Sequence, residues 1–206
     1  MGKKKVEPAS TEVDAYIFIE GNLKALGWDT RNPEKVATGQ VWTQNECNSN
    51  PEIKRLLGTQ HPEDTIKVTE KSLWVIEAKR SHRELQKAIG EAEDYAKAMN
   101  ASSQFKVAFV SGVAGNDDDS FLIRTRYLKG GKYVPVCMNG IEMTGLLTPD
   151  NCAHILHTGD PNIENPPPLM NGCSLLAPSA LTRYFTWARS TRTSAALYSP
   201  RSCSPS

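Results

Sequence analysis

Trp74-Val75-Ile76-Glu77-Ala78-Lys79 decides how this chain is read. Leu73 through Ile76 is a continuous apolar run of the kind a strand shows when it is buried on both faces. It ends abruptly in two charges. On a strand, side chains two residues apart project to the same face, so a carboxylate and an ammonium emerge together at Glu77 and Lys79. Ile76 and Ala78 then point into the opposite layer. An acid and a base side by side at the end of a buried strand form a candidate site. On Glu77-Ala78-Lys79 alone, a strand-to-loop exit carrying a solvated ion pair is the more common meaning of such a match.

Working outward, Thr65-Ile66-Lys67-Val68 alternates as a half-buried strand does, and Thr69-Glu70-Lys71-Ser72 is a turn, so 65–76 forms a hairpin. Pro62-Glu63-Asp64 stands at its start, 13 or 14 residues before Glu77. Pairing brings an acid from this element near Glu77. Alternation puts Asp64 on a face with Ile66 and Val68, and Glu63 on a face with Thr65 and Lys67; which of the two acids faces Glu77 stays open. After the hairpin, residues 83–100 carry Leu85, Ala88, Ile89, Ala92, Tyr95, Ala96 and Met99 on one helical stripe. Val107–Val110 is another buried strand, Asn116–Asp119 an acidic loop and Phe121–Tyr127 an alternating strand. Lys129-Gly130-Gly131-Lys132 turns the chain into Tyr133–Val136. Before the hairpin, residues 11–27 read as an amphipathic helix with Val13, Tyr16, Ile17, Leu23 and Leu26 near helical spacing and Gly27 as its stop. Glu20 sits at the edge of its apolar face, either reaching water or aimed into an adjacent site. Asn50–Gly58 reads as a short helix with Pro51 in its first turn. The fold class expected is α/β, a central mixed β-sheet flanked by helices.

Composition narrows the functions. Residues 1–165 hold 20 basic against 23 acidic side chains, a net −3, and the rest of the charge lies in the tail. A strongly basic footprint for nucleic acid is absent, so any such contact rests on local clusters, of which Lys79, Arg80, His82, Arg83 and Lys87 is one. A solvated helix start accounts for that run equally well. No apolar run reaches the ~18 residues that span a bilayer, and the expected location is cytoplasmic. Five widely spaced cysteines without a CxxC pair support neither a disulfide framework nor a zinc knuckle, and the four histidines do not form a metal triplet. There is no GxxxxGK[ST] loop for an ATP-driven motor. Residues 1–10 are expected to be a flexible N-terminus and 11–165 the domain. After Glu164 the chain contains no Lys, Asp or Glu but four Arg. Residues 166–206 are read as a disordered or out-of-frame tail, with an Arg/Ser-rich nucleic-acid-binding tail as the alternative.

A carboxylate pair beside a lysine suits one chemistry. Mg²⁺ takes oxygen ligands, normally one or two carboxylates plus waters and phosphate oxygens. A bound metal lowers the pKa of a water, and Lys79 orients that water or offsets charge on the phosphate.

Taken together, these elements resemble the PD-(D/E)xK nuclease superfamily. Within it they resemble the N-terminal endonuclease domain of type I restriction enzyme motor subunits and of restriction–adenine-methylase fusions. Pro62-Glu63-Asp64 resembles the family's Pro-Asp element and Glu77-Ala78-Lys79 its Glu-x-Lys element. The helix with Glu20 resembles its first helix, whose Glu often adds to the metal site. Glu91-Ala92-Glu93-Asp94-Tyr95 resembles its Gln-x-x-x-Tyr element, with Glu91 in place of Gln. The segment Trp42–Cys47 is also similar to the leader of large adenine-methylating restriction enzymes. The resemblance covers residues 11 to about 112. It implies a restriction-endonuclease-like core, a Mg²⁺ (or Mn²⁺) site drawn from Glu63, Asp64, Glu77 and Glu20, catalysis that also uses Lys79, and DNA contact or site support from Glu91, Tyr95 and Arg80. It further implies DNA as substrate and methylase, specificity or motor regions as partners on the same parent chain or other subunits. Two other functions fit the same residues: a non-catalytic DNA-binding or assembly domain, and a truncated fragment of an adenine-specific methyltransferase fusion.

Overall fold

In the computed structural model the described residues are 12–49, 51, 54, 62–102, 105–118 and 120–164. The chain divides after Asn165, and the second part, Pro166–Ser206, lies outside the described residues, as do residues 1–10. Most of the short helix expected over Asn50–Gly58 also falls outside them.

A six-stranded mixed sheet carries the first part. Its strands are β1 (Val41–Thr43), β2 (Asp64–Lys67), β3 (Ser72–Lys79), β4 (Lys106–Asn116), β5 (Ser120–Lys129) and β6 (Lys132–Pro135), in the spatial order β1-β2-β3-β4-β5-β6. All neighbours are antiparallel except β3 and β4. A parallel pair needs a crossover. Here it is a helix, α3 (Leu85–Ser102), reached through a 3-10 turn at His82–Glu84. The expected hairpin and helix are thus both present, and the expected α/β class with a mixed sheet between helices is the one observed.

Each sheet face has its own core. On one face α1 (Glu12–Ala25) sets Ala15, Ile19 and Leu23, spaced one turn apart, against Ile66, Trp74, Ile76, Ala78, Phe109 and Val113. On the other, α3 sets Ile89, Ala92, Ala96 and Met99 against Leu73, Val75, Val107 and Val110, joined by Trp42 and by Cys47 of α2 (Gln44–Ser49). The α1 stripe differs from the expected one: Ile17 is exposed, and Tyr16 only half-buried. Tyr16-Ile17-Phe18-Ile19 is apolar at four consecutive positions, so its period is ambiguous. Small Ala15 settles the matter by letting the helix approach the sheet. Trp28, just past Gly27 (φ 95°), donates its indole N–H to the Leu147 carbonyl at 2.8 Å and locks the helix exit.

The Gly130-Gly131 turn has φ of 59° and 82°, the two positive values a two-residue type I′ hairpin requires. Beyond β6 the chain builds a small sheet in the order β8-β7-β9 from β7 (Cys137–Met138), β8 (Ile141–Glu142) and β9 (Asn162–Ile163). Helix α4 (Pro149–Thr158) starts at Thr148, whose hydroxyl accepts the Asn151 N–H at 3.1 Å, and buries Cys152 and Ile155 in the α1-side core. Among the described residues no helix is long and apolar enough to cross a membrane.

Candidate functional site

Strand alternation sorts the candidate residues onto two faces. Trp74, Ile76 and Ala78 belong to the α1-side core, so Glu77 and Lys79 project toward α3. The Lys79 ammonium lies 2.6 Å from Glu77 Oε1 and 2.8 Å from Glu91 Oε2, the latter from the second turn of α3. Exposure grades outward through the three: the side chain of Glu77 is 3% exposed, Lys79 13% and Glu91 32%. Lys87, one turn before Glu91 and mostly exposed, stands 3.9 Å from the other Glu91 oxygen.

The register of the hairpin separates the two neighbouring acids. Asp64 pairs with Ile76, and directly opposed residues share a face, so Asp64 is on the α1 side. The charges that act on it are those of Glu20 and Glu46, with Glu77 a smaller influence. Glu63, just before the strand, acts by its charge on Tyr95 of α3, together with Glu77, Glu91 and Lys79. Both acids are buried. The structure therefore joins Glu77, Lys79 and Glu91 by ion pairs, sets Tyr95 and Glu63 within reach of their charge, and leaves Asp64, opposite Ile76, on the α1 side of the sheet with Glu20. Glu20 itself is 59% exposed and paired with Lys24 at 2.5 Å, one turn along its own helix. Arg80 is exposed and has no ion-pair partner among the described residues.

Burial is the main force on these groups. It pushes the Glu77 carboxyl up to about 7; Lys79 opposes that shift and the Glu91 charge adds to it. Burial works against the Lys79 ammonium too, but Glu77 and Glu91 outweigh it and hold its pKa above that of a free lysine. Lys79 therefore stays a cation throughout the neutral range and cannot serve as a base there. Glu91 is held below the ordinary carboxylate range, Lys79 prevailing over burial. Tyr95 is raised by burial and by the neighbouring carboxylates, so its phenol keeps its proton. On the opposite face Asp64 is raised to about 7, first by burial and then by Glu20 and Glu46.

The donor set suits one hard cation. Among the described residues no three His, Cys, Asp or Glu converge as a metal cage. A Mg²⁺-type ion does not need one, because one or two carboxylates complete its shell with water and substrate oxygens. Glu77 Oε2 is buried and has no hydrogen-bond partner among the described residues, which for a carboxylate oxygen is a costly position unless a cation takes it. Glu63 is the neighbouring oxygen source.

Two residues matter here that the sequence reading passed over. Gly112 pairs with Glu77 in the parallel ladder, and a Cβ placed on it would lie 2.7 Å from the Ile89 backbone nitrogen. Its lack of a side chain lets the first turns of α3 rest on the sheet and carries Glu91 to Lys79. A glycine inside the apolar strand Val110-Ser111-Gly112-Val113 is the sequence signal for such an approach. Glu46 is the other, an acid of α2 held by Thr43 and by Lys35 at 3.0 Å, whose charge reaches Asp64. Comparison with protein-family models, with curated proteins and with solved structures gives no match to this chain.

Proposed function

We propose that this chain is a divalent-metal-dependent DNA endonuclease domain with a restriction-endonuclease-like core, belonging to a restriction–modification system. One observation carries the reading: Glu77 and Lys79 stand 2.6 Å apart at the end of a hairpin strand that runs parallel to the strand after α3, with the charge of Glu63 reaching Tyr95 of α3 as theirs does. That strand order and the Glu-x-Lys spacing are what the resemblance to the PD-(D/E)xK superfamily leads one to expect. Glu77 and Glu63 would hold Mg²⁺ or Mn²⁺, which when bound supplies an activated water and charge stabilisation at the phosphorus. Lys79, permanently protonated, offsets the negative charge that grows on the phosphate oxygens during hydrolysis. Tyr95, a neutral phenol beside these groups, is a hydrogen-bond donor available to the same site.

The test is nicking or linearisation of supercoiled plasmid with Mg²⁺ or Mn²⁺. Activity that disappears with a chelator, in Glu77→Gln and in Lys79→Ala supports the reading, and activity that survives both substitutions ends it. A second reading, a non-catalytic DNA-binding or assembly domain or a fragment of an adenine-methyltransferase fusion, is favoured by the two carboxylates that neutralise Lys79. Salt-sensitive DNA binding with no cleavage in any divalent metal would select it.

A further inference from the structure

We propose that Glu91 is an exchangeable counter-ion that occupies the phosphate position on Lys79 until a nucleic-acid backbone displaces it. The inference rests on the nuclease reading and concerns how the site admits its substrate. Lys79 has two carboxylate partners that differ in character. Glu77 is buried beneath it on the same strand, whereas Glu91 comes from α3 and is the most exposed member of the group. An anion arriving from solvent meets Glu91 before it meets Lys79. With Glu91 in place the Lys79 charge is offset on its solvent side, and an incoming phosphodiester finds no free cation there.

Glu91 also has somewhere to go. Lys87 lies one turn earlier on α3 at 3.9 Å from Glu91 Oε1, largely exposed and aligned for an i,i+4 pair. A rotation of the Glu91 side chain toward Lys87 releases Lys79 without moving the helix. The carboxylate keeps a cation in either position, so the exchange costs little. Phosphate then takes the vacated side of Lys79 as a charge-assisted partner of the same geometry. Glu91 is accordingly a positioning residue that sets the threshold for substrate entry.

Equilibrium binding of a labelled DNA duplex in chelator, across a salt titration, reads this directly. Glu91→Gln should bind several-fold tighter than the unaltered chain. Its salt dependence should steepen by about one in the log–log slope, as for one added phosphate contact. Both gains should vanish when Lys79→Met is combined with it. Equal or weaker binding by Glu91→Gln, a gain that persists without Lys79, or no duplex binding by any variant overturns the proposal. If Lys79→Met fails to fold, steady-state cleavage by Glu91→Gln decides: KM should fall with kcat little changed, whereas a purely structural role would lower kcat and leave KM. Absence of metal-dependent cleavage in the unaltered chain would remove the nuclease reading alone, because the duplex-binding comparison still decides the role of Glu91.

Discussion

Gly112 lies beside Glu77 in the β3–β4 ladder, and the Ile89 backbone of α3 occupies the space where its side chain would be. Gly112→Ala puts a methyl group within 2.7 Å of Ile89 N and 3.2 Å of Ala88 Cβ. A backbone cannot yield as a flexible side chain does, so α3 must lift. We expect a loss of about 1–3 kcal/mol, the usual cost of overpacking, measured by urea denaturation. The lift also separates Glu91 from Lys79, so the salt dependence of DNA binding should move toward that of Glu91→Gln. Unchanged stability would mean that α3 does not rest on the sheet here.

Lys79→Ala leaves Glu77 buried without its cation. With Lys79 present, Glu77 is already raised to about 7 from 4.5, so the folded state holds that proton longer than the unfolded chain does. Stability from this group is therefore greatest below about pH 4.5 and is lost as pH rises toward 7. Without Lys79 the loss extends to higher pH. The variant should be weaker than the unaltered chain by roughly 3 kcal/mol at pH 8, and much closer to it at pH 5, where Glu77 is neutral in both. Lys79→Ala with Glu77→Gln should recover most of the deficit at pH 8. Thermal melts at the two pH values measure this, and a deficit independent of pH would show that Glu77 is not the group left stranded.

The two acids after Pro62 should behave differently. Glu63→Gln removes the carboxylate whose charge reaches Tyr95 beside Glu77 and Lys79 and should reduce metal-dependent plasmid nicking roughly ten- to a hundredfold, the scale of losing a group that orients a metal site. Asp64→Asn alters a carboxyl on the α1 face, opposite Ile76, whose foremost charged neighbours are Glu20 and Glu46, and should keep activity within a few-fold. Nicking that follows Asp64 and ignores Glu63 would reverse the assignment of ligand and bystander.

The β2–β3 hairpin, the strand ending in Glu77 and Lys79, and the stripe of α3 were legible because their periods are unbroken and their turns are marked by polar residues and glycine. The choice between Glu63 and Asp64 was not legible. Alternation separates the two, but only the register, Asp64 against Ile76, together with the packing of Ile76 under α1, says which side Asp64 takes. The orientation of α1 departs from the expected stripe because four consecutive apolar residues leave its helical phase to tertiary contact. Strand β1, three residues long, gains its stability from pairing with β2, not from its own pattern. The β7–β9 sheet escaped notice for the same reason, since each of its strands contributes two residues.

Asp64 also governs how stability changes with pH, apart from any chemistry at the site. Its carboxyl is raised from 3.8 to about 7, chiefly by burial and then by Glu20 and Glu46. Between those two values the folded state keeps a proton that the unfolded state has released. Stability from this group is complete below about pH 4, falls as pH rises through the interval, and does not return above 7. A shift of about three units corresponds to roughly 4 kcal/mol at its limit. A buried amide in the same place gives back part of that through its own unmet hydrogen bonds, so Asp64→Asn should gain about 2 kcal/mol at pH 8 and nothing at pH 4. Urea midpoints across this range should show a flatter pH profile in the variant. The remaining slope belongs to Glu77, which titrates over the same interval with the same sign. Equal profiles in the two proteins would mean that water or a cation already neutralises Asp64 in the folded chain.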